Sequence, residues 1–565
     1  MPKKDAPVVL KKKLMSKLRI IPLGGGPGQV TKNMYVYEYG DDAIIIDCGI
    51  GFPEEAVYGI NVLIPDIDYL KNNYNKKIHG IIISHAHDDH YAGLPYLLAD
   101  FAQVPIYTSK LTAGFLQEKL SDFGLTAKIN IFQENDKFKF GPFSLEFIYV
   151  THSVPDTHHI LIHTPFGIIY HGSDFKFDLT PVDGRPPNFQ KIANAGQQNV
   201  LCMLSDSLGS ERSGFSLSES NLTAMFHREI QNCSGRFIVS AVSSSIHRLQ
   251  QSINVAASHN RQIAFIGRSM EQNSKIAQKL GFLQLPKKSI IHKRKISTIP
   301  DNKLCLLIAG SQGQESSSLT RFASGDHPLV KVKSTDKIVI SSEPIPGNEQ
   351  AVARVVDDLS QAGAKVIYSD IKDDLHVSGH ASGSELQLLM ELIKPKYLYP
   401  IGGTFRHLIQ YRELALAMGF TKNQVIIPQS AQVIEFSSDG KFNLAETLKL
   451  KDVIVDGQLI GDVGPVVLSD RKKMARAGII IITLPLSKSG NLIGSPQIVT
   501  RGFVFVKQST QLLDHLKREV QSILPQSLKS VDSFKLKRQI EKHLHKIILQ
   551  LTGREPLILS AIIQV

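Results

Sequence analysis

The sequence predicts an α/β protein built from more than one domain, and three observations carry that prediction. Three apolar, strand-like runs in the first third each stop at residues of metal-ligand type. Residues 78–83 precede Ser84-His85-Ala86-His87-Asp88-Asp89-His90, 143–150 precede Thr151-His152, and 168–170 precede His171-Gly172-Ser173-Asp174. Beyond Pro181 short apolar runs ending in Ser or Gly alternate with helical patterns, the signature of a doubly wound parallel sheet. The tail beyond about residue 470 reads instead as strand-like runs followed by two long amphipathic patterns, a small α+β domain. A chain of 565 residues is also too long for one hydrophobic core.

Taken in order, residues 19–23, the glycine-rich turn Gly24-Gly25-Gly26-Pro27-Gly28, residues 34–37 and residues 43–46 form strand, turn, strand and strand, closed by Asp47. No Walker or dinucleotide pattern surrounds this turn, so it does not argue for a phosphate site. The run 78–83 is a buried strand, and 92–98 can begin a helix. On a helix His85 and His87 would face opposite sides, so their spacing asks for an extended or looped backbone. Three imidazoles and two carboxylates within six residues are costly to gather unless a cation binds them, and nitrogen with carboxylate oxygen suits zinc or a similar first-row ion. His152 and Asp174 follow at two further strand ends, where α/β folds place their sites.

The second half repeats strand and loop. Runs at 200–204, 237–240, 263–266, 304–309 and 337–340 lead into Ser205-Asp206-Ser207, Ser243-Ser244-Ser245, Gly267-Arg268-Ser269, Gly310-Ser311-Gln312 and Ser341-Ser342. Small hydroxylic residues and free N–H groups at strand ends suit phosphate, although helix N-capping accounts for part of them. His376-Val377-Ser378-Gly379-His380 precedes a helical stretch at 384–393, and a strand at 396–400 runs into Ile401-Gly402-Gly403-Thr404. In the tail, strands are expected at 478–484, 502–506 and 558–565, with helices at 510–523 and 533–551. With no ligand constellation there, the tail reads as an interaction or oligomerisation module.

Composition narrows the class. Hydrophobic residues at 42% and charged residues at 21% are those of a soluble globular protein. The net charge of +12 points to a polyanionic partner such as nucleic acid, and a basic surface without a partner fits it equally. Four scattered cysteines without C-x-x-C spacing read as reduced core residues, not a disulfide framework. No apolar stretch approaches the ~20 residues of a membrane helix, and residues 1–17, with Lys3, Lys4 and Lys11 to Lys13, read as a flexible basic arm and not a signal peptide. A cytoplasmic location without membrane contact is the expectation.

Assembled, these residues resemble the ribonuclease J family, within the β-CASP nuclease branch of the metallo-β-lactamase superfamily. The resemblance rests on Gly25-Gly26 and Gly28 with Lys32-Asn33-Met34, Phe52-Pro53-Glu54-Glu55, the His85–His90 block, Thr151-His152-Ser153, Asp174-Phe175-Lys176-Phe177-Asp178, Ser205-Asp206-Ser207, Gly267-Arg268-Ser269-Met270, Pro344-Ile345-Pro346-Gly347-Asn348-Glu349, His376 to Ala381, and 457–463. It implies an αββα sandwich with an inserted doubly wound β-CASP domain and a small C-terminal α+β domain. The corresponding boundaries are 18–220 and 366–465 for the sandwich and linker, 221–365 for the insertion and 466–565 for the tail. It implies RNA cleavage with two zinc ions, 5′→3′ exonucleolytic and favoured by a 5′-monophosphate, endonucleolytic on some single-stranded substrates, in rRNA processing and mRNA decay. A homodimer or higher oligomer is expected with it.

By the same resemblance His85, His87 and His152 hold the first metal, Asp89 and His90 the second, and Asp174 bridges both. Asp206 is the proton donor and His380 the acceptor. Ser244, Ser245, His376, Ser378, Gly379 and His380 bind the terminal nucleotide's phosphate, Asp456 is a peripheral cation ligand, and Asp47 orients the histidines from behind. The chain departs from the family pattern where Pro400-Ile401-Gly402-Gly403-Thr404 stands for Pro-Val-His-Gly-Glu, so Gly402 lacks the imidazole that is the second metal's third protein ligand. Ser245 stands for an Asn, and Gln29 for a Glu. The second site is then weaker, or suited to manganese or magnesium, unless His171, His158, His159 or His376 compensates. Two readings stay open: an active nuclease with an altered second site, and a catalytically weakened RNA-binding paralogue that partners an active nuclease.

Overall fold

Runs of β-branched and aromatic residues, many of them buried on both faces, build the strands that position the site. The structure, a computed structural model, describes residues 17–53, 60, 62–73, 77–345, 347–372, 375–456, 459–460, 464–487, 491–504, 510–525 and 532–564. Residues 1–16 of the basic arm expected at 1–17, the Glu54-Glu55 pair, Pro346, Gly457, 461–463 and Val565 lie outside them. The described residues fall into two compact units, one within Met1–Phe52 and Leu63–Val453, the other within Pro53–Val62 and Ile454–Val565.

In the first unit two sheets face each other. Among the described residues the first runs Phe442–Thr447, Gln432–Phe436, Leu18–Gly24, Met34–Tyr39, Asp42–Ile46, Lys77–Ile83, Ile106–Thr108, Ile129–Ile131. The second runs Tyr397–Ile401, Val200–Asp206, Gly167–His171, Thr157–Thr164, Phe143–Val150, Lys137–Phe140. Ile20, Tyr37, Ile44 and Ile82 from one meet Phe147, Ile160, Ile169 and Leu204 from the other in one buried core. Each such side chain contributes about 1.5–3 kcal/mol by leaving water. The outer face of the second sheet, through Leu161, Tyr170, Met203 and Leu398, is covered by helices Phe189–Gly196, Gly383–Ile393 and Phe405–Ala417. Leu18–Gly24 pairs antiparallel with Gln432–Phe436, so the chain returns to its first sheet after a long excursion.

That excursion is a separate parallel sheet in the order Gln262–Ile266, Leu304–Ile308, Phe237–Ser240, Lys337–Ile340, Lys365–Ile367. Its first strand in sequence, Phe237–Ser240, lies in the middle, and the order reverses around it. Ligands of doubly wound folds bind outside the carboxyl ends at such a point. The architecture is thus a metallo-β-lactamase-type sandwich with a doubly wound insertion, as the sequence predicts.

The second unit holds Ile479–Leu486 between antiparallel Gln497–Arg501 and parallel Leu557–Gln564. Ile480, Ile482 and Leu484 pack on Leu516 and Val520 of helix Thr510–Ser522 and on Ile540 and Leu544 of helix Ser533–Thr552. The strand expected at 502–506 is displaced: pairing covers Gln497–Arg501 and stops at Gly502, which turns at φ +66°. Residues 505–506 lie outside the described set. A helix over Pro465–Ala477 is a further element that the sequence reading did not anticipate. Among the described residues no helix is long and apolar enough to cross a membrane.

Candidate metal centre

Five strands bring their carboxyl ends to one edge. Lys77–Ile83 delivers the His85–His90 block, Phe143–Val150 delivers His152, and the mutually parallel Gly167–His171, Val200–Asp206 and Tyr397–Ile401 deliver Asp174, Asp206 and Gly402. The backbone is extended at His87 (φ −92°, ψ 143°), as the alternating spacing requires. It then enters a one-turn helix over Asp88–Tyr91, earlier than the helix start expected at 92, so Asp89 and His90 stand on helical backbone. Carboxylates in a helix's first turn are favourably placed against its N–H groups.

The first cluster is nearly complete geometrically. His85 Nε2 and His152 Nε2 lie 3.2 and 3.0 Å from His87 Nδ1, and both lie 3.7 Å from Asp174 Oδ2. Four donors ~2.0–2.1 Å from a tetrahedral ion would stand about 3.3 Å apart, a spacing that these four distances bracket, so the set fits zinc. In the second, His90 Nε2 is 3.6 Å from Asp89 Oδ2 and 3.5 Å from Asp174 Oδ2. Asp174 thus faces both groups, and each converges within 4.8 Å.

The outer nitrogen of every ring is also held. His90 Nδ1 donates to Asp47 Oδ2 (2.7 Å), His152 Nδ1 to Gly379 O (2.6 Å) and His380 Nδ1 to Asp206 Oδ2 (2.7 Å). His85 Nδ1 lies 3.0 Å from Ser84 Oγ, which donates to Asp47 Oδ2 (2.9 Å), and His87 Nε2 lies 3.2 Å from Ser153 Oγ. Outer partners of this kind fix ring orientation and leave the inner nitrogen's lone pair for a cation. Asp47 also accepts from Ser84 N (2.8 Å) and is held at φ +61°.

The electrostatics separate the two groups. Burial drives His87 down to about 4 and lowers His85 and His152 well below the usual imidazole range, so these rings are neutral near pH 7. Burial also lowers His90, but the carboxylates of Asp89, Asp174 and Asp47 outweigh it and raise His90 well above that range. Burial pushes Asp89 up to about 6, whereas Asp174, equally buried, is held low by His90 and His380. His380 is likewise lowered by burial and raised to about 9 by Asp206 and Asp174. Three neutral imidazoles beside one carboxylate suit a soft-to-borderline cation; an imidazolium among carboxylates marks a place where positive charge is wanted.

Gly402 sits at the same edge with φ +66°, and a Cβ there would meet only Asp206 Oδ1, at 3.8 Å. None of the four histidines considered as replacements joins a ligand group. His171 Nδ1 is bonded to Tyr37 Oη (2.7 Å), His159 Nδ1 to Tyr170 Oη (2.8 Å), His158 Nδ1 to Asp156 O (2.9 Å), and His376 Nδ1 faces Arg248 (3.1 Å).

Ser244, Ser245, His376, Ser378, Gly379 and His380 line one cavity of about 450 Å³ together with His87, Asp89 and Asp174. Ser245 stands at the start of helix Ile246–Ser258. Asp456 belongs to the second unit, where it is paired with Arg471 (2.5 Å) and joins no His/Cys/Asp/Glu ligand group among the described residues. Sequence reasoning missed Ser84, Ser153, Asn33 and the buried Arg248, whose guanidinium binds Glu219 (2.9 and 3.1 Å), Ser341 O (2.5 Å) and Val377 O (3.1 Å) behind the 376–380 turn. Ser84 and Ser153 carried a signal as neighbours of ligand histidines, and Asn33 as part of the Lys32-Asn33-Met34 motif.

Residues 27–199 match the metallo-beta-lactamase superfamily and 364–428 the Zn-dependent metallo-hydrolase RNA specificity domain. The crystal structure of a protein of unknown function from Enterococcus faecalis V583 superposes with a TM-score of 0.53 at 17% identity, over 74% of this chain and all of that one, a likeness of fold. Fold and site together define a zinc-dependent metallo-hydrolase. Residues 234–359 match the ribonuclease J beta-CASP domain and 466–565 the ribonuclease J C-terminal domain. The chain is 34% identical to Ribonuclease J2 of Bacillus subtilis over 98% of its own length and 100% of the relative's. It is 35% identical to Ribonuclease J of Thermus thermophilus (97% and 95%) and 33% identical to that of Synechocystis (96% and 86%). The chain belongs to the ribonuclease J family.

Proposed function

We propose that this protein hydrolyses phosphodiester bonds of single-stranded RNA, working 5′→3′ from a 5′-monophosphate and internally on some substrates, in the cytoplasm and as a dimer or larger assembly. The observation that carries the reading is the convergence of His85, His87, His152 and Asp174 on one point, with every outer ring nitrogen held, beside a cavity lined by His87, Asp174 and His380, the last bonded to the buried Asp206. His85, His87, His152 and Asp174 would hold zinc; Asp89, His90 and Asp174 would hold a second, weaker cation, zinc, manganese or magnesium. The chemistry such ions contribute is Lewis-acid polarisation of the phosphoryl oxygen and an acidified water.

The chain's own residues do the rest. His380, bonded to Asp206 through Nδ1 and 3.9 Å from Asp174 through Nε2, stands at the reacting edge as the proton acceptor, and Asp206 supplies the proton that the departing 3′-oxygen needs. Asp206 as donor and His380 as acceptor act as one hydrogen-bonded unit. The N-terminus of Ile246–Ser258, with Ser244, Ser245, Ser378 and Gly379, grips the terminal phosphate. The supporting domain plan is a sandwich at 18–220 and 366–465, an RNA-clamping insertion at 221–365 and a C-terminal module at 466–565.

The test is turnover of 5′-monophosphorylated RNA beside a panel of β-lactams and thioesters, on protein of measured metal content. Mononucleotides released from the 5′ end are expected. Hydrolysis of a panel member with RNA left intact would sink the reading. The open space at Gly402 favours a second reading, a weakened paralogue, which predicts RNA binding without appreciable turnover on the same sample.

A further inference from the structure

Gly402 offers the second cluster no side chain, yet another residue stands directly against that cluster's ligand atoms. The carboxamide of Asn33 has Nδ2 3.1 Å from His90 Nε2 and 3.3 Å from Asp89 Oδ2, with a third contact to Asp89 O at 3.3 Å. Asn33 is 3% exposed, and its backbone is pinned from both sides: its N donates to Asp89 O (2.9 Å) and its O accepts from Gly49 N (3.0 Å). The backbone is thereby fixed beside the cluster, and Nδ2 faces the gap between Asp89 Oδ2 and His90 Nε2.

Which atom faces the gap depends on what fills it. As placed here the NH₂ group donates to Asp89 Oδ2 and Asp89 O, but against a protonated His90 Nε2 at 3.1 Å, as against a cation, the oxygen is the atom that fits. A cation between Asp89 and His90 would meet those N–H hydrogens with repulsion, whereas half a turn of the amide presents Oδ1, a hard oxygen donor. Oδ1 now lies so close to Gly25 that a Cβ there would be 2.0 Å from it, and Tyr35 Oη is 2.8 Å from the same point. That hydroxyl donates to Gly25 O (2.5 Å) and so has no hydrogen to direct at the amide.

We propose that Asn33 supplies the ligand missing at Gly402: its carboxamide oxygen completes the second cluster with Asp89, His90 and Asp174. Three oxygens and one nitrogen suit a hard divalent ion such as manganese or magnesium. The inference rests on the metal-dependent reading above.

The experiment uses the full chain loaded with one equivalent of zinc. Crystals soaked in manganese chloride, with anomalous data at the manganese edge, are expected to show manganese among Asp89, His90 and Asp174 with Asn33 Oδ1 bonded to it. In solution, Mn²⁺ titration followed by electron paramagnetic resonance should find affinity reduced roughly 10–100-fold in Asn33→Ala, with zinc content unchanged. Manganese bound while the carboxamide still donates to Asp89 would overturn the proposal, as would unchanged affinity in a folded Asn33→Ala protein. If the variant does not fold, the wild-type soak decides alone. A wild-type protein that takes no Mn²⁺ up to millimolar concentration overturns the proposal too, while zinc at the first cluster and RNA turnover would leave the nuclease reading standing.

Discussion

The two ligand clusters share one wall and one carboxylate, Asp174, yet differ in what holds them. The first gathers three imidazoles from two strand ends, each with its outer nitrogen tied to a serine or a backbone carbonyl. The second has one imidazole, tied to the buried carboxylate of Asp47, and no side chain at Gly402. Neutral rings make the first group ready for a cation. In the second, His90 is charged by its neighbours, so a proton competes for the cation's place. A metal centre can thus lose a ligand on one side without disturbing the other, provided the bridging group and the outer partners stay.

Asp174→Asn tests that comparison most severely, because the bridge serves both groups. Metal content measured by mass spectrometry should fall at both sites, and RNA cleavage should vanish. Retention of a full zinc equivalent would show that the first cluster needs only its imidazoles.

His87→Ala comes next. It should remove the first zinc and abolish cleavage while leaving the thermal melt intact, since the ring stands at a strand end outside the main core. Cation binding at Asp89, His90 and Asp174 should survive; loss of both ions together would mean that the clusters are not separable.

A smaller effect is expected from Asp47→Asn, which disturbs the partner of His90 directly and that of His85 only through Ser84. Affinity for the second cation should drop about 10–100-fold, and zinc affinity by less. Equal losses would make Asp47 a general prop of the loop.

Gly402→His should move the system least. A restored imidazole adds a ligand, but at φ +66° a side chain carries strain of ~1–3 kcal/mol. With Asn33 completing the second cluster, metal content and rate are expected to stay near those of the parent chain, with a lower melting temperature; metal rising towards two per chain with faster cleavage at low added metal would mean that the cluster is open without an imidazole. A well-folded variant with unchanged metal content and rate would mean that the position is already compensated, as Asn33 would do.

Much of this was legible in order along the chain. Apolar runs ending in His or Asp located the strand ends, because a strand buried on both faces must be apolar and its chemistry must begin where burial stops. The His85-x-His87 spacing required extended backbone and has it. Alternating βα units announced the doubly wound insertion, since that pattern depends only on local periodicity. The edge strands Phe442–Thr447 and Lys137–Phe140, the helix Pro465–Ala477 and the displaced strand at Gln497–Arg501 were not legible, because short or half-exposed elements carry weak periodicity and their pairing comes from distant residues.

The sequence by itself determined which residues could bind a cation and which position lacked one, for ligand chemistry is a property of side-chain type. Only the tertiary structure decided how they are grouped. Asp47 reaches His90 across 43 residues and Gly379 reaches His152 across 227, contacts that no local spacing encodes. The same holds for Asn33, which reads in sequence as part of a turn and strand and stands in space against Asp89 and His90, because sheet pairing and burial, not neighbourhood along the chain, set which polar groups must satisfy one another.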